Sequence, residues 1–306
     1  MTNPLLDTSG LPLFDRIAPE HVAPAMDELL AAAEKALDTV TAADFPSDWK
    51  AIAQNLDVIT EKLGMAWGAV SHLNSVADTP ELRAAYNAAL PRVTEFWTRL
   101  GSDERLYAKY KAIDAANLNT EQTQARKNAL RGFVLGGAEL QGEAKERYAA
   151  IQERLAEITQ KFSENTLDAT DKFALYVSED QLQGVPADVV QATRDAAQKE
   201  GKEGHRLSLK MPVYLPVMQF ADSGALREQL YKAYVTRASD QAPEDAKHFD
   251  NTPLMQDILA LRQEEAQLLG FDNYAQVSVV PKMAESPEKV IAFLRDLAAK
   301  ARPFAE

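Results

Sequence analysis

The helical character of this chain is clearest in residues 49–73, WKAIAQNLDVITEKLGMAWGAVSHL. The apolar side chains in this stretch recur at steps of three and four, the spacing of one face of an α-helix. They are Trp49, Ile52, Leu56, Ile59, Leu63, Trp67, Val70 and Leu73. Either Ser47 or Asp48 can accept the hydrogen bond that caps the first turn. The stretch therefore predicts a helix about 38 Å long, at about 1.5 Å per residue.

The same spacing continues through most of the chain on both sides of this helix. It predicts further helices over 22–40, 80–100, 103–115, 120–135, 142–169, 186–200, 224–238, 251–269 and 287–302. Gly270 follows the helix at 251–269, and a glycine is the usual residue just past a helix end.

Two short segments have a different pattern. Residues 173–177, FALYV, and 206–211, RLSLKM, alternate between apolar and polar side chains, which predicts short strands. We therefore predict a mostly α protein, an elongated multi-helix lobe with a small β element near 173–177 and 206–214. In this prediction residues 1–306 form one lobe, since no linker or repeat separates two domains. Its parts are a helical array at 20–169, a β-containing insert at about 170–220, and helices at 224–302.

Composition and charge exclude several classes of function. The 306 residues carry a formal net charge of −13, whereas nucleic acids and anionic membranes require a basic surface. The chain has no cysteine, so disulfides, thiol nucleophiles and cysteine zinc ligands are excluded. No apolar run is long enough to span a membrane, and the N-terminus lacks the pattern of a secretory signal peptide. We expect a soluble, cytoplasmic protein with no nucleic-acid or membrane partner.

The histidines do not form a recognisable metal motif. His21, His72, His205 and His248 are far apart in sequence, and none belongs to HExxH, the motif that places two zinc ligands on one helix face. We expect a structural role for His72 at the end of its helix. The residues alone therefore indicate no metal centre.

Paired carboxylates and a group of aromatic residues are the other candidates for chemistry. Glu264 with Glu265, and Asp168 with Asp171, have the spacing of solvated helix faces in an acidic chain, so we interpret them as surface charges. The aromatic residues indicate core or inter-helix packing rather than a cofactor site; they are Trp49, Trp67, Phe96 and Trp97. No catalytic constellation is visible.

Several segments nevertheless resemble one family. Residues 226–240, LREQLYKAYVTRASD, and 255–275, MQDILALRQEEAQLLGFDNYA, followed by KMA at 282–284, are the most specific. Together with SHLNS at 71–75 and YLPVM at 214–218, they resemble the thimet oligopeptidase family of zinc metallopeptidases, especially its bacterial members. The resemblance extends over the whole chain.

The resemblance implies a function that this chain does not complete by itself. Members of the family are longer, and their HExxH motif and further zinc ligand lie in a C-terminal half that has no match here. The resemblance therefore implies zinc-dependent hydrolysis of short peptides in the full-length enzyme, and no catalytic or metal residue in this chain. It also implies that this half forms one wall of a substrate channel and is inactive without the C-terminal catalytic half.

One cluster of residues is a candidate for the channel wall. Tyr231, Tyr234, Arg237 and Asp240 are the most recognisable group within the family-like segments. Tyr234 and Arg237 are three residues apart and so are expected on one helix face. We expect them to pack and pin the helix, with direct peptide contact as the alternative.

The last helix suggests where a partner belongs. The helix at 287–302 runs into Pro303-Phe-Ala-Glu306 without a capping glycine, which we interpret as a cut rather than a finished end. We therefore predict an exposed apolar patch on 287–302 that the missing half would cover. Two alternatives remain open: a stand-alone peptide-binding or regulatory protein derived from this lobe, and a purely structural helical module.

Overall fold

The computed structural model describes residues 3–306, and most of these residues are helical. The chain divides into two compact units. The first comprises Met1–Glu157 and Ala260–Glu306, and the second comprises Ile158–Leu259. The structure therefore confirms the predicted mostly α class. Whether residues 1–306 act as one lobe stays a prediction.

The helices follow one another along the chain with short connections. The first six are α1 (Val22–Thr41), α2 (Trp49–Ile52), α3 (Val58–Val76), α4 (Pro80–Ser102), α5 (Glu104–Ala112) and α6 (Thr120–Leu135). The next five are α7 (Glu143–Lys172), α8 (Ala187–Lys199), α9 (Met211–Phe220), α10 (Gly224–Thr236) and α11 (Thr252–Leu268). The last two are α12 (Tyr274–Val279) and α13 (Pro287–Ala305). Except for α9 and α12, which the spacing did not predict, these bounds agree closely with the predicted ranges.

The long helix expected at 49–73 forms, but it contains one wider turn. Asp48 caps its start, with its side chain accepting a hydrogen bond from the Ala51 N–H at 2.8 Å. Residues Ala53–Asp57 then form a π-helical turn, in which the Val58 N–H donates to the Ala53 carbonyl five residues earlier. The π turn joins α2 to α3 as one continuous helical segment.

The first unit has two apolar clusters that match the predicted stripes. In one cluster, α1, α3 and α4 pack together, and its fully buried side chains include Val22, Met26, Leu63, Val70 and Phe96. In the other, the end of α1 packs with α2, α5 and α6, and its buried side chains include Leu37, Ile52, Leu106, Tyr110 and Phe133. Trp49 and Trp67 pack at the margins of these clusters, whereas Trp97 is 38% exposed.

The second unit contains the only sheet formed by residues 3–306. Strand β1 (Leu175–Val177) pairs antiparallel with β2 (His205–Leu207), with Leu175 opposite Leu207 and Val177 opposite His205. The sheet and the neighbouring helices enclose a third apolar cluster that includes Leu209, Val217 and Leu230.

The predicted extension of the β element to residue 214 is wrong. Strand β2 ends at Leu207, and α9 begins at Met211. Buried Leu207 and Leu209 alternate like a strand, but Tyr214 and Val217 are buried at helical spacing. Pro212 lies in the first turn of α9, where no backbone N–H is needed, and so it favours the helix.

Two glycines of the first unit give opposite expectations on replacement by alanine. A Cβ at Gly136 would lie 2.6 Å from the Gly101 carbonyl oxygen, so Gly136→Ala should lower the free energy of unfolding by about 1–3 kcal/mol. A Cβ at Gly64, inside α3, would contact nothing within 4 Å, so Gly64→Ala should raise the free energy of unfolding by up to about 1 kcal/mol. Urea unfolding of the two variants measures both changes, and shifts of the same sign would contradict the expectation.

Candidate functional site

Three of the side chains at the candidate site form a stack in the second unit. The rings of Tyr214, on α9, and Tyr234, on α10, are nearly parallel, with centroids 4.3 Å apart. The guanidinium carbon of Arg237 lies 3.9 Å from the centroid of the Tyr234 ring, within the range of a cation–π interaction. Burial raises the pKa of Tyr214, and the nearby Tyr234 and Tyr231 add to this effect. The stack therefore joins α9, α10 and the residue after α10.

The structure brings together only part of the predicted cluster. Tyr234 and Arg237 are in contact, but Arg237 does not share a helix face with Tyr234, because α10 ends at Thr236 and Arg237 has extended backbone angles. Tyr231 is 55% exposed, and Asp240 is exposed on the following turn. Tyr214 was not predicted from the sequence as a member of this cluster. The only signal for it was its position in the family-like segment 214–218.

A buried amide network holds the turn that carries Arg237. The Asn251 N–H donates to the carbonyl of Ala238, which adopts a positive φ of 49°. The Asn251 side-chain nitrogen donates to the Phe162 carbonyl at 3.0 Å, and the Asn165 amide donates to the Asn251 side-chain oxygen at 2.9 Å. Asn251 is 1% exposed and Asn165 is 4% exposed. The network connects the turn after α10 to α7, and no local sequence pattern indicated this pairing across 86 residues.

The second unit also exposes large apolar side chains on three helices. Besides Tyr231, they are Met211, Leu215 and Phe220 of α9, Val235 of α10, and Met255 and Leu259 of α11. Exposed apolar residues scattered over a surface are ordinary, so their exposure alone does not define a contact surface.

The four histidines are separately engaged. His21 Nδ1 accepts a hydrogen bond from the Ala18 N–H at 3.0 Å, and the His72 ring packs against Phe14 at 5.3 Å. The remaining two make local contacts: His205 Nδ1 lies 3.1 Å from Thr193 Oγ1, and His248 packs against Phe249. Within residues 3–306, no group of three or more metal-ligating side chains could hold a metal ion. The described residues therefore offer no zinc site, and the family resemblance implies that its zinc ligands belong to the C-terminal half.

The two neighbouring carboxylates Glu264 and Glu265 have different environments. Glu264 is exposed and accepts two hydrogen bonds of 2.6 Å from Arg147, as expected of a surface charge. Glu265 is only 8% exposed, so the interpretation of this residue as a surface charge is wrong. Burial raises the pKa of Glu265, and Gln152 and Arg262 only partly counteract that effect.

These environments predict opposite effects of pH on two glutamine variants. The raised pKa of Glu265 means that the folded state binds this proton more tightly than the unfolded state does. Its stabilising effect is complete below the ordinary pKa of 4.5 and is lost as the pH rises through the raised value. We therefore expect Glu265→Gln to be more stable than the parent chain at pH 7, by a margin that shrinks on acidification.

The matched control is Glu264→Gln. Hydrogen bonds from Arg147 lower the pKa of Glu264, so its carboxylate stabilises the fold at neutral pH, and the benefit is lost as the pH falls through the lowered value. This variant should be less stable than the parent at pH 7, by a deficit that shrinks on acidification. Urea unfolding at pH 7, 6, 5, 4 and 3 measures both differences, because the lowered pKa of Glu264 lies below 4.5. A difference between Glu265→Gln and the parent that does not change with pH would contradict the raised pKa of Glu265.

Comparison with known proteins shows a similarity to one family. The model described as Neurolysin/Thimet oligopeptidase, N-terminal domain, matches residues 26–145, and the model described as Peptidase family M3 matches residues 217–306. Two separate parts of the sequence are therefore similar to this peptidase family, which is the resemblance that its motifs predicted.

Individual relatives show which peptidases of this family the chain resembles and how much of their length it covers. The whole chain is 46% identical to Oligopeptidase A of Salmonella typhimurium and 45% identical to Oligopeptidase A of Escherichia coli, and it covers 46% of each of them. A Probable cytosolic oligopeptidase A of Arabidopsis thaliana is 36% identical over 96% of this chain. The chain thus spans about half the length of these relatives and is similar to their N-terminal part.

None of the helices formed by residues 3–306 combines the length and the apolar character needed to cross a bilayer.

Proposed function

We propose that this chain is the N-terminal lobe of an oligopeptidase A-like zinc metallopeptidase, a cytoplasmic enzyme that hydrolyses short peptides. The observation that supports the proposal most strongly is the 46% identity over the whole chain, which covers only 46% of the relative. In this proposal the catalytic zinc is held by the C-terminal half that the relatives possess. Residues 3–306 offer no donor set for it, so the chain has no activity alone.

The exposed face of α13 supports a covering partner. None of the residues of α13 is buried, and its large apolar side chains are 46–92% exposed. They are Ile291, Phe293, Leu294, Leu297 and Phe304. The predicted exposed apolar patch on 287–302 is therefore present. We propose that the C-terminal catalytic half packs on this face, because an isolated helix with such a face gains stability by burying it.

The second unit is proposed to supply part of the channel wall. Tyr234 and Arg237 are engaged in the stack with Tyr214, so their role is to hold the surface in shape. Tyr231 has more than half of its surface free and lies one turn before Val235, which is 51% exposed. We propose that Tyr231 contacts the peptide substrate.

A chimera tests the proposed function. It joins residues 1–306 to the remaining C-terminal part of the Escherichia coli oligopeptidase A. The chimera should cleave a short internally quenched fluorogenic peptide, and the isolated chain should show no cleavage. Cleavage by the isolated chain, or a folded chimera without activity, would overturn the proposal. An inactive chimera together with binding of the fluorogenic peptide by the isolated chain, weakened by Tyr231→Ala, would instead favour a stand-alone peptide-binding protein.

The role of Tyr231 is tested in the same chimera. Because this side chain is exposed, Tyr231→Ala should raise KM about 5–10-fold, the effect of losing one aromatic contact, without changing the unfolding midpoint. The control is Tyr234→Ala, which breaks the stack and should lower the unfolding midpoint. An unchanged KM for Tyr231→Ala would exclude Tyr231 from the peptide contact.

A further inference from the structure

The continuous helical segment from Trp49 to Met65 lines an open groove in the first unit. The groove has a volume of about 670 Å³, which is within the range of small-molecule sites. Thr8 and Gln122 add walls from two other parts of the first unit. The Gln122 side-chain oxygen accepts a hydrogen bond from the Asn119 N–H at 3.1 Å, so its amide group can still donate toward the groove.

The groove contains charges of both signs that are not paired with each other or with other residues. Lys50, Asp57, Glu61 and Lys62 all line it, and all four are exposed. Some other exposed charges of this unit form pairs, such as Arg92 with Asp27 at 2.6 Å. Within the described part of the chain, none of the four groove side chains forms a salt bridge or a side-chain hydrogen bond. They remain available to a ligand.

Helical geometry sorts these charges into neighbouring rows. Asp57 and Glu61 are four residues apart and so lie one above the other, and Val58 and Lys62 form the adjacent row in the same way. A molecule that lies across the two rows meets carboxylates on one side and an ammonium group on the other. Val58 is 52% exposed and gives the groove an apolar surface between the charged groups.

The π turn places Asp57 in an unusual setting for an exposed carboxylate. Asp57 is the last residue of the turn at Ala53–Asp57, and such turns recur at functional sites. Partial loss of solvation raises its pKa. A cationic group of a ligand would therefore stabilise the charged form of Asp57.

We propose that this groove binds a small zwitterion with an apolar side chain, an amino acid or a di- or tripeptide with free termini. Its amino group lies against Asp57 and Glu61, and its carboxylate lies toward the lysines. Its apolar part packs on Trp49, Val58 and Met65, the apolar members of the lining. This inference concerns the first unit alone and does not depend on the proposed peptidase function.

Calorimetric titration of the 306-residue chain with the dipeptide Leu-Phe tests the proposal. Leu-Phe should bind saturably, and N-acetyl-Leu-Phe-amide, which lacks both charges, should bind at least about tenfold more weakly. Glu61→Gln and Lys62→Gln should each weaken binding of Leu-Phe about fivefold or more. Both side chains are exposed, so the variants should keep the thermal unfolding midpoint of the parent.

The matched controls are Lys35→Gln and Glu95→Gln, which remove exposed charges of the same unit outside the groove lining. They should bind Leu-Phe as the parent does. Equal affinity for the free and blocked peptides would overturn the proposal. Absence of saturable binding up to about 10 mM, far weaker than the affinities of specific sites, would also overturn it. Unchanged binding by both groove variants would place the ligand elsewhere and overturn it as well.

Discussion

Asn251→Ala is expected to lower the free energy of unfolding by about 2–3 kcal/mol, a large loss for a single residue. The Asn251 side chain is fully buried and makes hydrogen bonds to the Phe162 carbonyl and the Asn165 amide. Alanine removes both bonds and leaves the buried Asn165 amide without this partner, whereas the Phe162 carbonyl keeps its hydrogen bond from Thr166 Oγ1. Each such group costs about 1–3 kcal/mol, because water cannot reach it.

Urea unfolding followed by far-ultraviolet circular dichroism measures this loss. The control is Asn117→Ala, which removes an exposed asparagine that bonds to Asp114 at 2.9 Å and should cost less than about 0.5 kcal/mol. In the double variant Asn165→Ala with Asn251→Ala, the two losses should not add, since the residues share one hydrogen bond. A loss below about 1 kcal/mol for Asn251→Ala would mean that the amide network contributes little to the stability of the fold.

The Asn251 network also has a consequence for the candidate site. It holds the carbonyl of Ala238, the residue directly after Arg237, and Arg237 must stay above the Tyr234 ring to complete the stack. In the proposed full-length enzyme, a change that loosens this network without unfolding the unit would therefore affect the surface around Tyr231. The buried amides and the proposed peptide contact are thus linked through one turn.

Helical periodicity was sufficient to predict most of the fold. In α1 the residues at steps of three and four, among them Val22, Met26 and Leu37, are the ones buried in the structure. This works because a helix that covers a core must present a continuous apolar stripe to it. Strand alternation was less reliable at residues 206–214, where the strand ends at Leu207 and the proline-containing helix α9 was missed.

The candidate site was only partly predictable, for a physical reason. The contact between Tyr234 and Arg237 is local, and their spacing of three residues indicated it. Tyr214 and Asn251 come from distant segments, and nothing in their immediate neighbours shows which partners they meet after folding. The burial of Glu265 was missed for the same reason: its exposed neighbour Glu264 gives the pair the pattern of a solvated face.

Phe96→Ala should produce a loss of similar or larger size in the first unit, about 3–5 kcal/mol, because it leaves a cavity in a packed core. The Phe96 side chain is 2% exposed and belongs to the cluster between α1, α3 and α4. Its neighbour Trp97 provides a matched comparison, since it is the larger residue but is 38% exposed. Trp97→Ala should cost about 1 kcal/mol, chiefly through the edge contact with Phe96 at 5.5 Å.

Urea unfolding of the two variants separates burial from residue size as the determinant of stability. If size decided, Trp97→Ala would be the more damaging change, whereas burial predicts the reverse order. The order also tests the interpretation of the aromatic residues as packing elements. That interpretation predicts a large loss of stability for Phe96, which faces the core, and a small loss for Trp97, which is partly exposed. Equal losses for the two variants would contradict this arrangement of α4, in which Phe96 is buried in the core and Trp97 is partly exposed.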